Sequence, residues 1–284
     1  MTESVFDKIG RDYYELTGAE KRTADFILAN RDRCQFLSIA ELAELSGVAE
    51  ATVSRFCRRL GYKGYNAFKL AIANASTPAS RDEDMLSGPV ELSDSVEEMS
   101  SKLYSADQEA MRQTLELVEP EKISRAADLL QQAGRVVCMG QGGSMLLAEV
   151  ASNLFATVSG KFLSVSDSHS QVMTAVNLDP GDVILFFSYS GATRDMLDTM
   201  RAVKSRGVKL LLITRFPKSP GAAMADLVLL CGSNEGPLQL GSVPAKIAQL
   251  FLLDVLFSEF CRRDLRAARQ SKERVAEAME GKHL

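Results

Sequence analysis

VILFFSYSGAT, residues 183–193, runs five apolar side chains straight into a cluster of small hydroxyls, and a helical pattern follows. The apolar half fits a strand buried on both faces, as in parallel sheets. Met196, Leu197, Met200 and Val203 then recur at helical spacing, so SYSGAT is predicted to be the turn between strand and helix. The first turn of a helix presents unpaired N–H groups and the positive end of the helix dipole. An anion bound there would meet those donors together with the hydroxyls of Ser188, Ser190 and Thr193, and Gly191 lets the backbone come close.

A second turn of the same design lies upstream. VVCMGQGGSMLLAEVASNLF predicts a strand, the turn GQGGS and a helix from about Ser144, with Gly142 and Gly143 in the turn and the Ser144 hydroxyl at the helix start. Such a glycine turn alone is an ordinary strand-to-helix connection. A dinucleotide site is disfavoured because no acid follows the next strand directly. Asp167 comes after Ser166, which leaves a ribose contact open. The two turns gain meaning together, since strands ending side by side would let one ligand touch both.

Around these turns, apolar runs alternate with helical patterns after Gly134, the signature of an α/β unit with a parallel sheet. Strands are expected at 136–139, 162–165, 183–187, 209–213 and 227–230, with ligands beyond their carboxyl ends. Before them, residues 95–118 read as a long helix, and Pro120 suits the first position of another, with Ile123, Ala126, Ala127 and Leu130 on one stripe. Residues 77–93, TPASRDEDMLSGPVELS, break the helical periodicity and read as a linker. The chain upstream is helical throughout. The expected fold is therefore α/β with a separate all-α domain.

Within the helical part, SIAELAELSGVAEATVSRFCRRLG (residues 38–61) describes two short helices around Gly47. Val53, Phe56, Cys57 and Leu60 form the inner stripe of the second helix. Thr52, Ser54, Arg55, Arg58 and Arg59 fall on the opposite arc, which suits entry into a DNA major groove. A small bundle with a solvated arginine face fits the same periodicity. Residues 1–77 carry a net charge of +1 and the remainder −5, and residues 51–71 hold Arg55, Arg58, Arg59, Lys63 and Lys69 with no acid.

The stretch LTGAEKRTADFILAN, then LSIAELAELSGVAEATVSRFCRRLGYKGYNAFK, resembles the N-terminal domain of RpiR-type transcriptional regulators along nearly its whole length. It departs from that pattern at Ala49, where the family usually has a serine as N-cap of the recognition helix. Residues 122 to about 266 resemble the SIS (sugar isomerase) domain, a phosphosugar-binding module, and GSVPAKIAQLFLLDVLF resembles the segment after the last strand in these regulators. The resemblance implies a flavodoxin-like five-stranded parallel sheet preceded by a helix-turn-helix domain. Its implied parts are a DNA-binding domain at 1–77, linker and connecting helix at 78–121, SIS domain at 122–266 and a C-terminal helix at 267–284.

By that resemblance DNA is met by Ser38, Thr52, Ser54, Arg55, Arg58, Arg59 and Lys63. The sugar phosphate is met by Gly142, Gly143, Ser144, Ser188, Tyr189, Ser190, Gly191 and Thr193. His169, in SDSHSQ, is either a ligand contact, reaching across a dimer interface, or a structural histidine. Glu235, in CGSNEGP, is either a sugar-hydroxyl acceptor or a solvated loop carboxylate. The expected partners are a double-stranded operator, a phosphorylated sugar and further copies of the chain in a homodimer or homotetramer.

The runner-up is a phosphosugar isomerase with an accessory helical domain. His169, Glu149 and Glu235 are its only candidate bases, and none stands in a compelling pattern, so no catalytic residue is assigned. A third class is a sugar-phosphate-sensing adaptor that binds protein through the helical domain. No cofactor or metal is expected, because the five cysteines are widely spaced and read as buried reduced thiols. No apolar run approaches the roughly 18 residues of a spanning helix, and Glu3, Asp7 and Lys8 interrupt any export signal, so a cytoplasmic location without membrane contact is expected.

Overall fold

The computed structural model describes residues 4–76, 85–87, 89–233, 235 and 242–282. Two compact units emerge. One holds the described residues up to Ala106 with Glu235 and Ser242, and the other holds residues 107–233 and those from Val243 onward.

The N-terminal unit is helical: α1 (Val5–Asp12), α2 (Gly18–Ala29), α3 (Arg31–Cys34), α4 (Ile39–Leu45), α5 (Glu50–Arg59) and α6 (Tyr65–Ser76). The first strong start signal is Thr17, whose hydroxyl accepts the Glu20 N–H while the Glu20 carboxylate accepts the Thr17 N–H, a reciprocal capping box. Ser38 and Glu41 repeat it at α4. The apolar stripes predicted for α4 and α5 close the core: Leu42, Val53, Phe56 and Cys57 are fully buried with Ile9, Ile27 and Phe68. Phe68 meets both Phe56 and Tyr62 edge-to-face, at 5.6 and 5.4 Å between ring centres.

The predicted linker lies partly outside the described residues. The rest includes a short antiparallel ladder, β1 (Met85–Ser87) with β2 (Val90–Glu91), followed by the long helix α7 (Val96–Leu117).

The C-terminal unit takes its sheet from β3 (Val136–Gly140), β4 (Phe162–Ser164), β5 (Val183–Phe187), β6 (Lys209–Thr214) and β7 (Leu227–Leu230). All four pairings are parallel, in the order β4-β3-β5-β6-β7, which is the doubly wound flavodoxin-like order. Alternate side chains serve two faces. Cys138, Leu185, Phe187, Leu211 and Ile213 pack with α8 (Pro120–Gln132), α9 (Gly143–Ala156) and α13 (Val243–Arg263). Met139, Ile184, Phe186 and Leu212 pack with α10 (Ser168–Val176) and α11 (Arg194–Val203). Helices α12 (Pro220–Met224) and α14 (Leu265–Met279) complete the described elements.

Two boundaries differ from the sequence expectation. Residues 107–121, assigned to the connector, and 267–284, set apart as a C-terminal helix, have their described residues in the C-terminal unit. Burial explains the first: Ala110 and Thr114 of α7 are inaccessible, and the Thr114 hydroxyl accepts the Gly232 N–H at 2.9 Å just past β7. Ala268 anchors the second by joining the α8–α9–α13 side of the core. Cys34, Cys57, Cys138 and Cys231 are buried free thiols as expected, while Cys261 is only partly buried.

Candidate functional site

In the N-terminal unit, α4 and α5 are joined by a tight turn in which Gly47, at φ 64°, donates its N–H to the Glu44 carbonyl. The outer arc of α5 is built as its periodicity predicts. Arg55 and Arg58 are exposed, Thr52 and Ser54 are half-buried beside them, and Lys63 is exposed beyond the helix end. Ala49 occupies the N-cap with no side-chain capping bond.

Two of the proposed DNA contacts have structural work of their own. Arg59 donates to the Glu15 carbonyl at 2.6 Å and lies 3.5 Å from the Glu20 carboxylate, so it ties the end of α5 to the start of α2. Ser38 holds the α4 cap with its hydroxyl. Periodicity could not separate Arg59 from Arg55 and Arg58, because its acceptors are 39 and 44 residues away in sequence.

In the C-terminal unit, the two glycine-hydroxyl turns leave the sheet from neighbouring, in-register strand ends, since Gly140 of β3 pairs with Phe187 of β5. Gly142, at φ 54° and ψ −127°, is the N-cap of α9, a conformation that a side chain would oppose. Gly143 and Ser144 form the first turn of that helix. In the second turn, Ser188 is buried and its hydroxyl accepts the Gly191 N–H at 3.2 Å. The Thr193 hydroxyl lies 3.5 Å from that of Ser188, and Thr193 is the N-cap of α11 without a side-chain capping bond. The exposed Ser190 accepts the Ala192 N–H at 3.2 Å. Two helix N-termini and four hydroxyls thus converge at the carboxyl edge of the sheet.

Supports of this edge were not visible in the motifs. Gln171 of α10 is fully buried; its amide donates to the Gly140 carbonyl at 3.0 Å and the Val165 carbonyl at 2.8 Å, and its oxygen accepts from Gln141 at 2.7 Å. One side chain therefore fixes the GQGGS turn to the strand ends. Lys246, in the first turn of α13, reaches Gly143: a Cβ built on that glycine would lie 3.3 Å from Lys246 Cε and 3.7 Å from Nζ. It places a cation beside the α9 N-terminus. The only sequence signal for it was the GSVPAK match after the last strand.

Other expected contacts are placed differently. The Tyr189 hydroxyl donates to the Ser233 carbonyl at 2.9 Å, so it braces the turn against the end of β7. Ser233, at φ 104°, is further held by its N–H to the Gln113 side chain and by Arg215 Nε to its carbonyl. Asp167 is the N-cap of α10: its carboxylate accepts the Ser170 N–H at 2.8 Å, a bond that holds its pKa below the ordinary value and accounts for it without a ribose. His169 is exposed on the first turn of α10. Glu235 is buried and accepts the Ser242 N–H at 2.5 Å. No cluster of three or more metal-ligating side chains occurs among the described residues.

Comparison with known proteins agrees with both halves. Residues 4–78 match the helix-turn-helix domain of the rpiR family, and residues 129–259 match the SIS domain. An HTH-type transcriptional regulator of Haemophilus influenzae is 32% identical over 273 residues, covering 96% of this chain and 95% of its own length. The chain belongs to the RpiR family of transcriptional regulators. Another relative, the HTH-type transcriptional regulator HexR of Escherichia coli, is 28% identical over 280 residues, with 97% of this chain and 94% of HexR covered. Among solved structures, the Vibrio vulnificus NanR protein complexed with ManNAc-6P superposes with a TM-score of 0.85 at 23% identity, over 98% of each chain. The sugar isomerase domain of an RpiR transcription factor from Sphaerobacter thermophilus covers 63% of this chain and 98% of its own at a TM-score of 0.56 and 24% identity. The two-domain fold is thus shared along the whole length, and the chain is a DNA-binding transcriptional regulator rather than an enzyme.

Proposed function

We propose that this regulator senses a phosphorylated sugar at the carboxyl edge of its sheet and that occupancy changes its affinity for operator DNA. The observation that carries the reading is the convergence of two helix N-termini, α9 and α11, from in-register neighbouring strands, with the hydroxyls of Ser144, Ser188, Ser190 and Thr193 and the Lys246 ammonium around them. A phosphate matches that donor set, since every polar group offered is a hydroxyl, an amide N–H or a cation. NanR carries ManNAc-6P, and the shared fold makes an N-acetylhexosamine phosphate a reasonable first probe. Tyr189 braces the loop through its bond to the Ser233 carbonyl, and the exposed His169 at the start of α10 is our candidate for a contact with the sugar end or with a second copy of the chain.

Operator contacts fall to α5. Arg55 and Arg58 supply phosphate or guanine contacts, Thr52 and Ser54 the shorter reach to base edges, and Lys63 a flanking phosphate contact. One ten-residue helix reads few base pairs, so the active species is at least a homodimer on a two-fold operator, with a tetramer as the next assembly.

The test is a thermal-shift screen of hexose and N-acetylhexosamine phosphates, followed by operator binding with and without the best ligand. A ligand at a hundred times its Kd adds about 2.7 kcal/mol of apparent stability. The expected result is a ligand that stabilises the protein, requires its phosphate and changes operator affinity by roughly 5- to 150-fold. Unchanged stability and operator affinity across the panel would sink the sensing reading.

A further inference from the structure

Ser233 lies three residues beyond β7 at φ 104°, the one non-glycine residue with a positive φ among those described. Side chains rarely adopt that backbone; residues held in it depend on their surroundings and cluster at ligand clamps and switches. Hydrogen bonds from three side chains hold this one. Its N–H donates to Gln113 Oε1 of α7 at 3.1 Å, while its carbonyl accepts from the Tyr189 hydroxyl at 2.9 Å and from Arg215 Nε at 3.1 Å. The preceding N–H, of Gly232, donates to the Thr114 hydroxyl of α7 at 2.9 Å. A Cβ built on Gly232 would stand 2.4 Å from Gln113 Cβ and 2.6 Å from the Thr114 nitrogen, so this backbone lies directly on the helix. Ser233 is thus bonded on one side to the Ser188–Thr193 turn, through Tyr189, and on the other to α7.

Helix α7 runs unbroken from Val96 to Leu117, and the chain passes from the N-terminal unit to the C-terminal unit within it, between Ala106 and Asp107. Its start is tied as closely as its end. Ser95 and Glu98 close a reciprocal capping box, and the Asp94 carboxylate accepts the Glu91 N–H at 2.8 Å and the Lys102 ammonium at 2.6 Å. Such a helix passes a displacement of one end to the other as a rigid element. Tyr189 is built to start one. Its carbonyl accepts the Thr214 hydroxyl and the Arg215 N–H, each at 3.0 Å, so a change at Ser188 or Ser190 on either side turns the Tyr189 side chain about that pin.

We propose that Ser233 relays occupancy of the phosphate turn to α7, and through α7 to the DNA-binding unit; the relay rests on the sensing reading above. A phosphate seated on Ser188, Ser190 and Thr193 turns Tyr189 between them, and the Tyr189 hydroxyl lets go of the Ser233 carbonyl. Ser233 then leaves its disfavoured φ, and its N–H leaves Gln113. The two arrangements are the bonded one described here and the released one, and the effector acts by binding the released one more tightly. Breaking either bond by substitution therefore imitates the ligand. Relieving the strain at Ser233 does the opposite, because it favours the bonded arrangement.

The test measures operator affinity and probe affinity for the full-length parent, Gln113→Leu, Tyr189→Phe and Ser233→Gly. The probes are glucose 6-phosphate and N-acetylglucosamine 6-phosphate, one from each class of the screen above. Without probe, Gln113→Leu and Tyr189→Phe should bind operator within about threefold of the probe-saturated parent, and the probe should then change that affinity less than about twofold. Gln113→Leu should also bind the probe at least as tightly as the parent, since the cost of release is already met. Ser233→Gly keeps every backbone bond and should need at least about threefold more probe for half its response. A Gln113→Leu protein that responds like the parent overturns the relay, and so does one that loses its response together with probe binding. Should Gln113→Leu fail to fold, Ser233→Gly decides, and a probe response equal to the parent's overturns the relay. A parent that neither probe stabilises or moves on its operator brings down the sensing reading itself, which separates that failure from failure of the relay alone.

Discussion

Arg59, at the end of α5, lies 3.5 Å from the Glu20 carboxylate, which also accepts the Thr17 N–H at the start of α2. The two ends of the family-like stretch, LTGAEK and RFCRRLG, are therefore one physical unit: the acid that closes the capping box also receives the arginine. Glu20→Ala removes both interactions from a side chain only 9% exposed, and should destabilise the N-terminal unit by about 1–2 kcal/mol. Arg59→Ala should cost less, about 0.5–1 kcal/mol, because its guanidinium is half-exposed and screened. Urea unfolding of the two single variants and the double variant checks this. A double-variant loss equal to the sum of the singles would mean that the pair does not couple.

The same tie separates Arg59 from its neighbours in DNA binding. Arg55 and Arg58 are exposed on the outer arc, so each Ala variant should leave stability within about 0.5 kcal/mol of the parent. Each should lower the slope of log affinity against log salt by about 1 where the arginine meets a phosphate. Fluorescence anisotropy over a salt series measures it. Unchanged slopes in both variants would place the operator contacts elsewhere than on α5.

Ala49 leaves the first turn of α5 without the side-chain acceptor that Thr17 and Ser38 provide for α2 and α4. Its backbone, at φ −79° and ψ 149°, already has the extended geometry of a capping residue. Ala49→Ser should therefore stabilise the N-terminal unit by about 0.5–1 kcal/mol without rearrangement. Chemical denaturation would show an upward shift in midpoint at constant slope. A destabilised Ala49→Ser would mean that the serine hydroxyl cannot reach the N–H of Thr52.

Much of this fold is local in origin and so could be read from the chain. The five strands fall within a residue of their expected limits because each is an apolar run closed by a glycine, a polar turn or a hydroxyl cluster. The turns around Gly142 and Ser188 were legible for the same reason: the hydroxyls at the starts of α9 and α11 are next to the glycines that shape the turns. What escaped depends on contacts between distant segments. Lys246 reaches Gly143 across more than a hundred residues, Gln171 fastens GQGGS from α10, and Tyr189 spends its hydroxyl on Ser233. None of these pairings leaves a periodic trace. Burial and bonded neighbours are equally invisible to charge type: Glu235 is buried and accepts the Ser242 N–H, and Arg59 donates to the Glu15 carbonyl.

Gly191 is the position where the fold and the sheet-edge site are least separable. It lies at φ 59°, and a Cβ built there would stand 2.1 Å from Ser219 Oγ and 3.0 Å from Thr214 Oγ1. Ser219 cannot yield freely, because its hydroxyl caps α12 by accepting the Ala222 N–H at 3.2 Å. Gly191→Ala thus combines a left-handed backbone penalty of about 1 kcal/mol with a displaced cap of similar size, and should destabilise the C-terminal unit by about 2 kcal/mol or more. The same substitution moves the Gly191 N–H off Ser188, which orients the hydroxyl facing Thr193. Stabilisation by the sugar phosphate should then fall further than the loss of stability alone would bring. Ser219→Ala is the control: it removes the cap and leaves Gly191 in place, so it should lower the unfolding midpoint while ligand stabilisation persists. Equal ligand shifts in Gly191→Ala and the parent protein would show that the Ser188–Thr193 loop does not hold the phosphate.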